Sequence, residues 1–85
     1  MKKILITGAA GFLGQLSIEY FQKKYKLYLI DKILLKKKNF IKIDITDNSQ
    51  VDKVIKKIKP DIILHYASEI FDTYSKSQIN NNNID

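Results

Sequence analysis

The feature that most constrains the fold is a short apolar segment that runs directly into three evenly spaced glycines. Lys3 to Thr7 (KILIT) has the length and unbroken apolar character of a parallel strand that is buried on both faces. Gly8, Gly11 and Gly14 follow at intervals of three, and the chain has no other glycine. The arrangement predicts a strand that ends in a sharp turn and continues as a helix.

The residues after the first glycines carry a helical pattern. Leu13, Leu16, Tyr20 and Phe21 recur at helical spacing, which predicts a helix over Phe12 to Lys24 with these side chains packed inward. The side chains left to solvent are polar: Gln15, Glu19, Lys23 and Lys24.

Three more segments have strand character, and one has the pattern of a second helix. The strand-like segments are Lys26 to Asp31, Phe40 to Ile43 and Asp61 to Ala67. The helical segment has an apolar face, an N-cap at Asp47 or Asn48 and a stop at Pro60; the apolar residues are Val51, Val54, Ile55 and Ile58. Helices placed between apolar strands predict an α/β, Rossmann-like parallel sheet of about four strands with right-handed crossovers.

One link departs from the alternating pattern, and no fifth strand follows the fourth, so we expect an incomplete sheet with an exposed edge. Only seven residues separate Asp31 from Asn39, too few for a helical crossover, so we expect an irregular loop that leaves one face less covered. Residues 69–85 include four consecutive asparagines and predict a poorly ordered or incomplete tail. We therefore interpret residues 1–85 as the N-terminal part of a single longer domain with an incomplete doubly wound sheet, or as a truncated product.

Composition excludes several classes of protein. With no cysteine and one histidine, the chain offers no thiolate or histidine-rich metal site. Its apolar runs are too short for a membrane span and its N-terminus is no signal peptide, so we expect a cytoplasmic protein with no membrane partner. The net charge of +6 comes from fifteen lysines and no arginine. Lys36 to Lys38 is the only run of three lysines, and such a run is typical of a solvated turn. Nucleic-acid binding through the lysines is a minor alternative, which predicts an affinity that falls steeply with salt.

The glycine stretch has the properties of a phosphate-binding loop. Gly8 would allow the tight turn, Gly11 the approach of a pyrophosphate to the backbone, and Gly14 close packing of helix on strand. A plain turn with no ligand is the alternative. Asp31 favours the cofactor interpretation, because an acid at the end of the second strand can accept hydrogen bonds from a ribose diol. Its charge would repel a 2′-phosphate, which favours NAD over NADP; Lys32 tempers that preference.

These motifs together resemble a known family. The order T-G-x-x-G-F-x-G from Thr7 to Gly14, then Asp31, then Asp44-Ile45, then HYAS from His65 to Ser68 is similar to the extended short-chain dehydrogenase/reductases. The resemblance is to their NAD-dependent epimerases and dehydratases of nucleotide sugars, and it covers only the cofactor half of that fold.

The resemblance implies a set of cofactor contacts that extends from the pyrophosphate to the nicotinamide. In that order the positions are Gly8, Gly11, Phe12, Leu13 and Gly14 at the pyrophosphate and its loop, Asp31 and Lys32 at the adenosine ribose, Asp44 and the backbone of Ile45 at the adenine, and Ala67 and Ser68 at the nicotinamide side. The family's Gly-Thr pair after an asparagine is missing near Asn80 to Asn83, so that contact is not carried over.

The family's catalytic residues are absent from the sequence. The family uses a Tyr-x-x-x-Lys pair on a later helix, and the two matches here, Tyr20 with Lys24 and Tyr28 with Lys32, are placed on the first helix and on a strand. We expect His65 to be a core residue, with Tyr66 and the Tyr20–Phe21 pair also packing. Two acids, Glu69 and Asp72, could reach a substrate mouth, although nothing makes them an acid/base pair.

Two functions of different classes follow. The first is the NAD-binding portion of an enzyme that transfers hydride to and from a nucleotide sugar; the sugar would bind through a missing C-terminal part, and the longer protein could be a homodimer. The second is a non-catalytic dinucleotide-binding module or a truncated remnant. Alone, we expect this chain to bind dinucleotide without catalysis.

Overall fold

Strands and helices alternate along the part of the chain that the structure, a computed structural model, describes, which is residues 1–67. The elements are β1 (Lys3–Thr7), α1 (Phe12–Phe21), β2 (Lys26–Asp31), β3 (Phe40–Lys42), α2 (Asn48–Ile58) and β4 (Ile62–His65). All six were predicted; β3, β4 and α1 are shorter than predicted. The predicted tail of residues 69–85 lies outside the described residues.

The four strands form one parallel sheet with the order β3-β2-β1-β4. The chain moves outward from β1 to β2 and β3, then crosses back to add β4 on the other side of β1. β1 is therefore hydrogen-bonded on both edges: its last residue, Thr7, pairs with Ile30 of β2 and with His65 of β4. The predicted Rossmann-like α/β sheet is confirmed.

Alternation along β1 supplies both faces of the core. Ile4 and Ile6 pack on the α1 side of the sheet, whereas Leu5 packs on the α2 side, and each is at most 1% exposed. Ile18 of α1 completes the first cluster and Ile58 of α2 completes the second. Because helices cover opposite faces, the central strand must be apolar throughout, as its sequence predicted.

The β2–β3 crossover is an irregular loop, as its length predicted. It contains no helix between Asp31 and Phe40, and Leu35 packs against the α1-side cluster. The loop ends at Asn39, which has a left-handed backbone (φ 60°) and donates from its side-chain amide to the Leu27 carbonyl at 3.2 Å. That side-chain bond holds the strained residue in register at the start of β3.

Helix α2 begins and ends as its sequence predicted. The Asp47 carboxylate is the N-cap and accepts the Gln50 backbone N–H at 3.3 Å. The helix ends at Ile58, and Lys59 takes the left-handed conformation (φ 54°) that turns the chain toward β4. Pro60 then prevents continuation.

The prediction for the buried side of α1 was wrong at Leu13, Leu16 and Tyr20, whereas Phe21 packs against the α1-side cluster as predicted. The buried residues are Gly14, Ser17 and Ile18, while Tyr20 is 80% exposed and Leu16 is 47% exposed. Leu13 is also exposed, and the helix ends at Phe21 rather than at Lys24. The cause is steric: Gly14 packs directly on the backbone of the glycine loop, so the residues three and four positions later follow it onto the sheet.

The prediction that His65 is a core residue was also wrong. His65 is exposed, because β4 is the edge strand of the sheet over residues 1–67. Its Nδ1 lies 2.8 Å from the Thr7 hydroxyl oxygen. Tyr66, the next residue, does pack against the α1-side core, as predicted. Neither described helix is long and apolar enough to cross a membrane.

We predict that the two apolar positions Ile18 and Leu16 differ sharply in their contribution to stability. Ile18→Ala removes a buried side chain and should lower the free energy of unfolding by about 2–5 kcal/mol, because a cavity remains. Leu16→Ala, the matched control on the exposed side, should cost less than about 1 kcal/mol. Urea unfolding of both variants measures the difference, and equal losses would contradict the observed orientation of α1.

Candidate functional site

A cleft of about 360 Å³ opens at the carboxyl ends of the strands. It lies where the sheet order reverses at β1, the position at which open parallel sheets bind ligands. Every predicted cofactor residue within the described range lines it: Gly8, Gly11, Phe12, Leu13, Gly14, Asp31, Lys32, Asp44, Ile45 and Ala67. Ser68 lies outside the described residues. The cleft thus brings together residues from four separate segments.

Gly8 makes the turn out of β1, and no larger residue fits its position. Its φ is +70°, a conformation that side chains with a Cβ rarely adopt. A Cβ there would lie 2.7 Å from the Ala67 nitrogen and 2.9 Å from the Tyr66 carbonyl carbon. Gly8 is therefore needed for the turn and also for the close approach of the chain after β4.

Gly14 and Gly11 differ in what a side chain would meet. At Gly14 a Cβ would overlap the Gly8 carbonyl oxygen and would lie 2.7 Å from the Cα of Ala9. At Gly11 it would meet only the Gly8 carbonyl oxygen, at 3.4 Å, which is close to ordinary contact. Gly14 therefore serves helix packing, whereas the surroundings of Gly11 leave space on the cleft side. The contact of Gly11 with a pyrophosphate stays a prediction.

The N-terminus of α1 is open toward the cleft. Gly11 is the N-cap and supplies no side-chain cap. The N–H groups of Phe12 and Leu13, at the first two helical positions, have no acceptor within residues 1–67. Free N–H groups together with the positive end of the helix dipole favour an anion at this point.

The Asp31 carboxylate bonds to both sides of the cleft. Its Oδ2 accepts the backbone N–H of Ala10, in the glycine loop, at 2.9 Å. Its Oδ1 accepts the backbone N–H of Ile33, in the following loop, at 3.0 Å. A carboxylate oxygen has two lone pairs, so each oxygen keeps one for a further donor such as a ribose hydroxyl.

Asp44 is held as an ionised acceptor on the opposite wall. Its Oδ1 accepts the Thr46 backbone N–H at 3.0 Å and the Thr46 hydroxyl at 2.8 Å. These bonds, the backbone one foremost, and the positive charge of Lys32 lower the pKa of the Asp44 carboxyl. Its Oδ2 accepts no bond from the described residues. The carboxylate is thus charged at neutral pH and has an oxygen available for a donor such as the adenine amino group.

Two side-chain contacts at the base of the cleft did not emerge from the sequence. The Thr7 hydroxyl lies 3.2 Å from the Ala67 backbone nitrogen, whose N–H it accepts. The Tyr66 hydroxyl lies 2.7 Å from the hydroxyl of Ser17 on α1. Both contacts tie the chain after β4 to the β1–α1 unit. No pattern in the sequence signals them, since the partners are about fifty to sixty residues apart and polar residues at strand ends are common.

The two Tyr-x-x-x-Lys matches do not form a catalytic pair in the described structure. Tyr20 is exposed on α1, and Lys24 lies beyond the end of that helix. Tyr28 packs on the α2 side of the sheet, whereas Lys32 lines the cleft. Glu69 and Asp72 lie outside residues 1–67.

Comparison with known proteins identifies the family. The family model described as NAD dependent epimerase/dehydratase matches residues 4–84. The chain belongs to this family. An uncharacterized epimerase/dehydratase of Staphylococcus saprophyticus is 34% identical over 93% of this chain and 28% of its own length. The dTDP-D-glucose 4,6-dehydratase of Dictyostelium discoideum is also 34% identical, over 80% of this chain and 19% of its own length.

A solved structure supports the same family assignment. The dTDP-glucose 4,6-dehydratase of Bacillus anthracis, in complex with NAD, superimposes with a TM-score of 0.70 at 25% identity. The superposition covers 88% of this chain and 29% of that enzyme. This chain therefore spans less than a third of the length of these relatives.

We predict that alanine is tolerated at Gly11 and not at Gly14. Gly14→Ala forces a Cβ into the backbone of the loop and should lower the free energy of unfolding by about 2 kcal/mol or more. Gly11→Ala, the matched control, should change stability by less than about 1 kcal/mol because its surroundings are open. Thermal unfolding of the two variants is the measurement, and a stable Gly14→Ala chain would contradict the packing described for Gly14.

Proposed function

We propose that this chain is the NAD-binding portion of an NAD-dependent epimerase/dehydratase that acts on a nucleotide sugar. The observation that carries the proposal is the convergence on one cleft of a glycine loop, an open helix N-terminus and two carboxylates. The bound nicotinamide would accept and return hydride, and this chain's residues would bind and orient the dinucleotide.

The fit to a dinucleotide is supported along the whole cleft. The free N–H groups of Phe12 and Leu13 are suited to the pyrophosphate. The free lone pairs of Asp31 are suited to the adenosine ribose, and the free Oδ2 of Asp44 is suited to the adenine amino group. Ala67 lies against Gly8, which supports the proposed position of the nicotinamide side near the end of β4.

Charge favours NAD over NADP. A 2′-phosphate would have to lie beside the Asp31 carboxylate, whose two oxygens are fixed by backbone N–H groups and cannot turn away without losing those bonds. Lys32 lines the same cleft and offsets part of this repulsion. We therefore expect NADP to bind more weakly than NAD, with the difference due mainly to Asp31.

Catalysis would belong to residues outside this chain. The sequence contains no Tyr-x-x-x-Lys pair placed at the cleft, and the relatives extend well beyond the matched region. We propose that the nucleotide sugar binds to such a further part, that the longer protein is a homodimer, and that it functions in the cytoplasm. The present chain would contribute cofactor binding only.

Titration with NAD and NADP tests the cofactor. NAD at one hundred times its dissociation constant should raise the free energy of unfolding by about 2.7 kcal/mol, because it binds only the native state. Asp31→Ala should weaken NAD binding by about tenfold or more, since charge-assisted hydrogen bonds are lost, and should weaken NADP less. Thermal shift and calorimetry measure both effects.

Asp61→Ala provides the control for a general loss of stability in this titration. Asp61 is a carboxylate at the opposite end of the sheet, where it accepts the Lys3 backbone N–H. The Asp61→Ala substitution should leave the ratio of NAD affinity to NADP affinity unchanged. Equal losses of affinity for NAD and for NADP in Asp31→Ala would count against the ribose contact. No thermal shift of the unsubstituted chain with either cofactor would contradict the dinucleotide proposal.

We also predict that the purified 85-residue chain has no epimerase or dehydratase activity. Supplied with NAD and dTDP-glucose or UDP-glucose, it should give no product above a protein-free blank, because residues 1–67 place neither Tyr-x-x-x-Lys match at the cleft as an acid/base pair. Chromatography of the nucleotide sugars after long incubation is the measurement. Turnover that follows the protein through purification would refute the assignment of catalysis to residues outside the chain.

A further inference from the structure

Asp31 lies between two loops that have no other direct connection through hydrogen bonds in residues 1–67. Its Oδ2 accepts the N–H of Ala10, and its Oδ1 accepts the N–H of Ile33. Ala10 belongs to the glycine loop at the phosphate end of the cleft, and Ile33 to the β2–β3 loop at the adenosine end. One carboxylate therefore bonds to both walls when no ligand is bound.

We propose that Asp31 is a positioning residue that holds the glycine loop in its binding conformation, in addition to any contact with a ribose. The inference concerns the ligand-free chain, so it holds or fails independently of which cofactor binds. It goes beyond the ribose contact because the atom held is the backbone nitrogen of Ala10, in the pyrophosphate half of the cleft.

The local hydrogen bonds show why this one contact matters. β1 and β2 pair as far as Thr7 and Ile30, and the glycine loop beyond them stays bonded to β2 because the Ala9 N–H donates to the Ile30 carbonyl at 3.1 Å. The next N–H along the loop, that of Ala10, has no backbone acceptor within residues 1–67, and the Asp31 side chain accepts it. The bond is partly buried, so its loss would leave an N–H poorly solvated. Asp31 thus adds a second bond between the end of β2 and the glycine loop, at the point where the loop turns toward α1.

The consequence is a coupling between the two halves of the cleft. The Gly11 N–H donates to the Gly8 carbonyl at 3.1 Å, which closes a tight turn immediately before α1. The N–H groups of Ala9 and Ala10, inside this turn, bond to Ile30 and Asp31 of β2. If Ala10 is released, the first N–H groups of α1 lose their fixed approach to an anion. Removal of Asp31 should therefore weaken binding at the phosphate end, where Asp31 itself would make no contact.

Amide proton exchange measured by NMR on the ligand-free 85-residue chain tests the proposal. In Asp31→Ala the Ala10 amide should exchange at least about tenfold faster than in the unsubstituted chain, because it has lost its acceptor. The Leu5 and Ile30 amides in the core should keep their rates. An unchanged Ala10 rate, or an increase no larger than that of the core amides, would overturn the proposal.

Asp61→Ala is the matched control for this experiment. It removes a carboxylate that also bonds a distant backbone N–H, that of Lys3, at 2.8 Å. Asp61→Ala should speed the exchange of the Lys3 amide proton and leave the exchange rate of the Ala10 amide unchanged. Faster exchange at Ala10 in Asp61→Ala would show a global effect and would overturn the assignment. If Asp31→Ala fails to fold, Asp31→Asn replaces it. Asparagine has one acceptor oxygen, so Ala10 or Ile33 must exchange faster, and a chain in which neither does so would overturn the proposal.

Binding of inorganic pyrophosphate gives a second test, in which the positioning role and simple electrostatics predict opposite changes in affinity for Asp31→Ala. Loss of a negative charge beside an anion site should, on charge alone, strengthen pyrophosphate binding. Loss of a positioning residue should weaken it several-fold, as followed by amide shifts of residues 10–14 during titration. Stronger binding to Asp31→Ala than to the unsubstituted chain would overturn the positioning role, whatever the result with NAD.

Discussion

The contact of Gly14 with the backbone of Gly8 and Ala9 determines how the first helix lies on the sheet. Since no side chain separates the helix from the loop, α1 approaches β1 closely and its rotation is fixed at its first turn. Ser17 and Ile18 then face the sheet, and Ser17 meets Tyr66 beyond β4. The same rotation leaves Leu16 and Tyr20 on the outside. One backbone contact thus sets the packing of the whole helix and the position of its open N-terminus.

The cleft also depends on close contacts that involve the backbone. Gly8 admits the chain after β4, Asp31 bonds to the glycine loop, and the Thr7 hydroxyl accepts the N–H of Ala67. Each contact joins β1 or its loop to a neighbouring strand end. The polar groups at the cleft are consequently backbone N–H groups and two carboxylates held by backbone hydrogen bonds, an arrangement that favours an anion at the helix N-terminus and hydrogen-bond donors at the carboxylates.

Local sequence patterns were sufficient for the elements and for the glycines and Asp31 at the cleft, whereas Phe12, Leu13, Asp44, Ile45 and Ala67 were predicted there only from the family resemblance. The bounds of β1 and β2, the Asp47 cap and the unusually short β2–β3 crossover all follow from residue type and spacing. The buried side of α1 did not follow, because apolar spacing favoured Leu13, Leu16 and Tyr20, whereas a steric contact decided the rotation. The exposure of His65 depends on β4 being an edge strand, and the Asp31–Ala10 bond on tertiary geometry; neither is encoded in a local pattern.

The position of β1 between β2 and β4 has a consequence for the order of folding. Pairing with β2 closes a short stretch of chain, whereas pairing with β4 joins residues 58 positions apart, such as Thr7 and His65. Loop-closure entropy and contact order favour the β1–α1–β2 unit as the early structure and β4 as a late addition. Because Gly8 rests on Ala67, an intermediate without β4 would have a glycine loop open on one side. The cleft is completed only when the last described strand docks, so its capacity to bind would appear together with the cooperative native state.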